Sequence, residues 1–322
     1  MKVLVTGGAG FIGNWLCREL LANGDEVLVL DDLSSGRYEN LEELEDGGRL
    51  RLVVDTVNDP VIVNECVKEV DTVFHLASAV GVRMIIDRPV HTIKSIVGGT
   101  ETVLQACARY RRPVVFTSTS EVYGKGAKIP FSEEDDRVMG ATTMRRWSYA
   151  TAKALDEFLA LAYWHETRLP IVIARLFNTV GPRQTGRYGM VVPSLVRQAL
   201  RDEPLTVYGD GQQSRCFTHV QDVVRCLVAL ANCRGARGEV VNIGSTEEVT
   251  ILQLAQRIQT LTGSKSDILM VSYSEAYGEG FDDMRRRVPA LGKAARLVGY
   301  KPTLTLDDIL NDVIAHEREN TG

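Results

Sequence analysis

The chain has 322 residues, room for one large domain or two modest ones with a sizeable core. With 44% apolar residues, 25% charged residues, a net charge of −5 and no long basic run, it reads as a globular protein and not as a nucleic-acid binder. No run of about 18 apolar residues is present, so no membrane-spanning helix is expected. The first strand is expected from residue 2, with no signal peptide ahead of it. The six cysteines (Cys17, Cys66, Cys107, Cys216, Cys226 and Cys233) lack C-x-x-C spacing. They argue against a zinc site or disulfide framework and for a reducing cytoplasm.

Short apolar segments recur at 2–6, 26–30, 50–54, 72–76, 114–118 and 171–174, with helix-length stretches between them. Each is rich in β-branched residues and bounded by polar residues, Gly or Pro, as buried parallel strands are. The alternation predicts right-handed βαβ crossovers and an α/β, Rossmann-type doubly wound parallel sheet over residues 1–180. After Gly181-Pro182 the rhythm changes. A Gly/Arg-rich loop leads to a helix near 190–201, short strands at 205–208 and 240–243, and a helix near 250–262. Residues 181–322 therefore read as a smaller substrate-binding region interleaved with the end of the sheet.

The first strand and helix are joined by Thr6-Gly7-Gly8-Ala9-Gly10-Phe11-Ile12-Gly13. Gly7 permits a tight turn, Gly10 lets backbone approach a pyrophosphate, and Gly13 lets helix pack on strand. Phe11 and Ile12 open the helix, whose free N–H groups and dipole suit phosphates. The second strand ends in Asp31-Asp32. Asp31 would accept from the adenosine ribose hydroxyls and repel a 2′-phosphate, which favours NAD over NADP. Asp55, after the third strand, is placed to reach the adenine. Leu76, Ala77 and Thr117, at later strand ends, complete the expected cofactor contacts.

The fifth strand runs into Thr117-Ser118-Thr119-Ser120-Glu121-Val122-Tyr123-Gly124, at the end of the sheet that opens on a ligand crevice. Further on, Tyr149 and Lys153 are four residues apart and share a helix face. An ammonium beside a phenol favours the phenolate, a base able to take a hydroxyl proton while a nicotinamide takes hydride.

The succession TGGAGFIG, STSEVYG and YATAK resembles the extended short-chain dehydrogenase/reductase family that modifies nucleotide sugars, over essentially the whole chain. The resemblance implies NAD as cofactor, a homodimer built on a helix bundle, and a UDP-sugar as substrate. Tyr149 would be the base that oxidises the sugar at C4, Lys153 would tune it and hold the nicotinamide ribose, and Thr119 would hydrogen-bond O4. Asn178 resembles a diphosphate contact, and Arg215 an arginine clamp for the nucleotide.

Glu121 separates the members of the family. Simple 4-epimerases usually carry a small residue there, whereas a carboxylate implies proton work at C5 or C6. The dTDP-glucose dehydratases place an aspartate before that glutamate, where this chain has Ser120. The segment from Tyr277 to Pro289 resembles UDP-glucuronate decarboxylases, as does Arg145-Arg146-Trp147 ahead of Tyr149. The resemblance makes Arg287 a catalytic and substrate-binding residue, since a guanidinium grips a carboxylate bidentately. The motif Gly81-Val82-Arg83 is closer to UDP-glucuronate 4-epimerases, and Arg83 would bind a uronate or diphosphate. Ile96 stands where the family often has an asparagine near the cofactor. The expected reaction is decarboxylation of UDP-glucuronate to UDP-xylose through a 4-keto intermediate. A nucleotide-sugar 4-epimerase is the first alternative and a 4,6-dehydratase the second. No metal is expected.

Overall fold

A computed structural model describes residues 1–44, 47–78, 85, 87–185, 190–277 and 283–320. The first half alternates β1 (Lys2–Thr6), α1 (Phe11–Ala22), β2 (Glu26–Asp31), α2 (Glu39–Glu42), β3 (Leu50–Val54), α3 (Pro60–Lys68), β4 (Thr72–His75), α4 (Pro89–Tyr110), β5 (Val114–Thr119), α5 (Trp147–Thr167) and β6 (Ile171–Leu176). There follow β7 (Thr179–Val180), α6 (Val191–Leu200), β8 (Leu205–Tyr208), β9 (Ser214–Cys216), β10 (Thr218–His219), α7 (Val220–Asn232), β11 (Val240–Ile243) and β12 (Glu248–Thr250). The chain closes with α8 (Ile251–Thr262), β13 (Ile268–Val271), α9 (Tyr273–Tyr277), β14 (Arg286–Arg287), α10 (Gly292–Val298) and α11 (Leu306–Glu319).

The large sheet has seven strands in the order β11-β6-β5-β4-β1-β2-β3, and every neighbouring pair in it is parallel. Parallel strands need crossovers, which put helices on both faces and bury both sides of each strand. Within β1 the two-residue period sorts the side chains. Val3 and Val5 join the core under α1 and α7, whereas Leu4 joins the core under α3, α4 and α5. The strand order reverses between β1 and β4, and a crevice opens beyond their carboxyl ends.

A third core gathers α6, α8 and α11 around Val207, Leu254 and Leu310. Polar caps start two of these helices. Thr250 with Gln253, and Thr305 with Asp308, form capping boxes. Before this region is complete the chain returns to the large sheet, where β11 pairs with β6 and α7 packs on the face opposite α5. The three-stranded sheet β12-β9-β14 lies outside the sequence-based expectation, because its strands are two or three residues long and carry no periodic signal. No described helix is long and apolar enough to cross a membrane.

Candidate active site

A cleft of about 820 Å³ runs along the carboxyl ends of the large sheet and is lined by Gly7, Gly10, Phe11, Ile12 and Gly13. Gly7 has φ +73°, and a Cβ there would lie 2.8 Å from the Ala77 nitrogen. At Gly13 a Cβ would collide with the Gly7 carbonyl, so side chains at either position would force the loop away from the sheet. Helix α1 begins at Gly10 without a side-chain cap, unlike α3, whose Asp59 side chain caps Val61 and Ile62. The first N–H groups of α1 are thus left for a ligand. Asp31, at the end of β2, accepts from the backbone N–H groups of Ala9 and Leu33 at 2.9 Å each. Burial pushes its carboxyl pKa up, opposed by those two N–H groups. Asp55, Leu76, Ala77 and Thr117 line the same cleft. The glycine cradle, the uncapped helix start and the Asp31 acceptor together fit a dinucleotide.

Next to this cradle, β5 ends in a 3₁₀ turn, Ser120–Tyr123, started by Thr119 Oγ1 accepting from the Glu121 N–H at 3.2 Å. The turn aims Thr119 and Glu121 into the cleft, where Tyr149 and Lys153 of α5 also point. Tyr149 is buried against Ile85, Ile96 and Ala152, with the Thr119 side chain near enough to act on its pKa. The apolar Ile96 thus packs with the Tyr149 ring. The pairing with Lys153 leads one to expect a depressed phenol pKa. Instead burial, and after it the Glu121 carboxylate, push the Tyr149 pKa up, against the smaller effect of Thr119. The Lys153 ammonium lies 4.1 Å over the Phe116 ring and 3.7 Å from Asp156.

The far wall is ionic. Arg146, at the residue before α5, grips Glu121 through both oxygens at 2.7 and 3.3 Å and Asp283 at 3.0 Å. Arg215 holds the other Asp283 oxygen at 2.8 Å. Burial works to raise the Glu121 pKa, but Arg146 and Arg287 outweigh it and hold the carboxyl below its usual range. Asp283 sits at about 2 for the same reason, with Arg215 and Arg146 overcoming burial. Arg287 is less well served. It lies 3.7 Å from Glu121 and 4.0 Å from Asp283, and its donations to Ser120 Oγ and Asn178 Oδ1 are long, at 3.4 Å each. Its buried Nε has no partner among the described residues. Burial, and then the charge of Arg215, bring its pKa down to about 10.

The three consecutive arginines divide their tasks. Arg285 is exposed and pairs with Asp210, and Arg286 is exposed and pairs with Glu248. Arg287 faces inward and lines the cleft, because successive residues of β14 point to opposite faces. Asn178 lines the cleft as well. Arg215 does not; it stands behind Asp283 as a support for the ionic wall. Arg83, with the rest of the Gly81-Val82-Arg83 motif, lies outside the described residues, as do Gly278 to Asp282. Sequence reasoning assigned no role to Arg146, Asp283 or Asp156, since their importance depends on partners far along the chain. Among the described residues no cluster of His, Cys, Asp and Glu is arranged to hold a metal.

The sequence profile described as the NAD dependent epimerase/dehydratase family matches residues 3–244. The chain is 40% identical over 319 residues to a UDP-N-acetyl-alpha-D-glucosaminuronate decarboxylase of Bacillus cytotoxicus, covering 99% of this chain and 98% of that protein. It is 36% identical over 318 residues to UDP-glucuronic acid decarboxylase 1 of Xenopus tropicalis, covering 99% of this chain and 72% of the relative. Among solved structures, the UDP-glucuronic acid 4-epimerase of Bacillus cereus, in complex with UDP-glucuronic acid and NAD, superposes with a TM-score of 0.89. The two are 29% identical, and the match covers 99% of this chain and 100% of the epimerase. This chain belongs to the NAD dependent epimerase/dehydratase family.

Proposed function

We propose that this protein is an NAD-dependent UDP-uronate decarboxylase that converts UDP-glucuronate to UDP-xylose. The observation that carries the reading is Arg287, a buried, under-paired guanidinium opening on the cleft beside Glu121 and Tyr149. A guanidinium in that state fits a carboxylate arriving from the cleft. Relatives named as UDP-uronate decarboxylases, matched along nearly the whole chain, support it.

In this reading the Gly7–Gly13 loop and the α1 N-terminus hold the dinucleotide phosphates, Asp31 and Asp55 its adenosine half, and Lys153 the nicotinamide ribose. When bound, NAD⁺ supplies a hydride acceptor for C4, later returns the hydride, and carries a ring charge that favours the Tyr149 phenolate. Tyr149 takes the O4 proton while Thr119 orients O4, giving a 4-keto sugar acid. Arg287 grips the C5 carboxylate, with Asn178 beside it toward the diphosphate. The sugar is now a β-keto acid, so the bond from C5 to the carboxylate breaks with its electrons entering the C4 carbonyl. Carbon dioxide leaves, Arg287 stabilises the enolate, C5 takes a proton delivered from solvent, and Tyr149 returns its own proton to O4 as C4 is reduced. Arg146 keeps Glu121 ionised and fixed next to C5, and Arg215 anchors the wall through Asp283.

A second reading has a specific support: the relative of 40% identity is named for a 2-acetamido uronate. Incubation with NAD⁺ and UDP-glucuronate or its 2-acetamido analogue, following carbon dioxide and the sugar product by NMR, separates the cases. Gas from the acetamido sugar alone would select the second reading. No gas and a C4-inverted product would turn the assignment to a 4-epimerase.

The homodimer belongs to the same proposal. Val90 and Ile93 of α4 and Leu155 and Phe158 of α5 are exposed on two helices that pack together, an apolar patch suited to a second copy. All six cysteines are free, which suits a reducing cytoplasm.

A further inference from the structure

Asp156 stands on the same face of α5 as Lys153 and is fully buried. Its Oδ2 accepts from Thr100 Oγ1 at 2.8 Å and lies 3.7 Å from Lys153 Nζ, while its buried Oδ1 has no partner among the described residues. A buried carboxylate with an unused oxygen is costly to folding, and such exceptions concentrate where function requires them.

The hydrogen bonds that reach Asp156 have a definite sense. An ionised carboxylate only accepts, so the single Thr100 hydroxyl proton goes to Oδ2. Thr100 Oγ1 must then accept from His75 Nε2, 3.3 Å away. That makes His75 the Nε2–H tautomer and leaves Nδ1 to accept from Thr6 Oγ1 at 2.7 Å. Thr6 Oγ1 accepts in turn from the Ala77 N–H at 3.2 Å. Burial, and after it the Lys153 charge, bring the His75 pKa down to about 3, so the ring is neutral. Every donor from Ala77 to Thr100 thus points toward Asp156, and the chain ties it to the ends of β1 and β4 where the strand order reverses.

The other charged groups near Lys153 and Tyr149 are already engaged. Glu157 is taken by Arg175 at 2.7 Å and Ser118 at 2.5 Å. Glu121 is taken by Arg146 at 2.7 Å, and Arg287 faces Glu121 and Asp283. We propose that Asp156, oriented by the Thr6–His75–Thr100 hydrogen-bond chain, is a positioning residue that holds Lys153 as an ammonium at its working place beside Tyr149. The inference rests on the reading above that Lys153 serves Tyr149. Burial lowers the Lys153 pKa and Asp156 is the leading influence that raises it, while burial lifts Asp156 itself to about 6.

The test is Asp156→Asn, which keeps the shape and the acceptor for Thr100. Two quantities are followed: the pH profiles of kcat and KM on the uronate, and, without substrate, the pH dependence of Lys153 labelling by an amine-reactive reagent read by peptide mass spectrometry. We expect kcat to fall about ten-fold or more with KM little changed, and the labelling midpoint and the alkaline limb of kcat to move down by about one pH unit or more. Asp156→Glu should recover part of both. Thr100→Val should shift both in the same direction by less, and it carries the test if Asp156→Asn does not fold. Folded variants with an unchanged labelling midpoint and a superimposable pH profile would overturn the proposal. If the parent turns over no uronate, the functional reading fails while the labelling midpoint still decides the role of Asp156.

Discussion

Two ionic groups flank Tyr149, and they differ in how many cations they bring together. On the cofactor side Lys153 has Asp156 at 3.7 Å and the Phe116 ring below it. On the far side Arg146, Arg215 and Arg287 gather around Glu121 and Asp283, and of the three Arg287 is held at the longest distances, 3.7 and 4.0 Å. The sparse side suits a step common to the whole family, proton removal at O4 coupled to hydride transfer. The cation-rich side suits a substrate that brings its own carboxylate. A buried guanidinium held only at long range is expensive, and under the proposed function a uronate carboxylate would give Arg287 a closer partner.

Substitutions can break this contrast one side at a time. Tyr149→Phe removes the hydroxyl proposed as the base, which both sides flank. Turnover should fall about 10²–10⁴-fold, the usual contribution of a positioned acid–base group, with NAD binding retained by calorimetry. Full activity in that variant would remove Tyr149 from the mechanism. Arg287→Ala acts only on the cation-rich side. Losing one partner of a desolvated charge pair amounts to about 2–5 kcal/mol, so kcat/KM on a uronate should fall about 10²-fold or more. Arg287→Lys should recover only part of that loss, because an ammonium lacks the bidentate fork.

Arg146→Met sharpens the comparison through stability. It leaves the partly buried Glu121 and Asp283 with fewer cations, a change that for a fully buried pair costs about 3–5 kcal/mol and here is expected to cost less. Both acids have depressed folded pKa values, so their contribution is present above the unfolded values and fades as pH falls from about 4 toward about 2. The Tm deficit of Arg146→Met should therefore be greatest near neutral pH and shrink below pH 4. A deficit independent of pH would mean that Arg146 matters for packing and not for charge. The smallest effect is expected from Asp31→Asn, which weakens an acceptor for the ribose hydroxyls. It should lower NAD affinity about ten-fold, since hydrogen bonds to charged groups contribute about 1.5–3 kcal/mol, and leave turnover at saturating NAD nearly unchanged.

Much of the fold and half of the site are legible in the residues alone. The strands of the first half lie where their apolar runs place them, and the segments 205–208 and 240–243 and the helices near 190–201 and 250–262 form as expected. The glycine loop, Asp31, Thr119, Tyr149 and Lys153 converge on one cleft because each sits at a strand end or first helical turn that the βαβ repeat delivers to the same edge. The C-terminal half was harder to read. Its short strands carry no period, and their pairing depends on segments far apart in the chain.

From local pattern alone the chain determines a doubly wound sheet, a dinucleotide cradle and a tyrosine–lysine pair on one helical turn. The resemblance already singles out Arg287 among three adjacent arginines, but only the tertiary structure shows that it lines the cleft while its neighbours face outward, that Arg215 pairs with Asp283, and that Asp156 lies against Lys153. It also decides the sign at Tyr149, where burial and Glu121 raise a phenol pKa that helical spacing would lower. The division has one physical cause. Periodicity and turn chemistry act over a few residues and are written in order, whereas burial and charge pairing depend on distance in space, which is set only when β5, α5 and β14 come together.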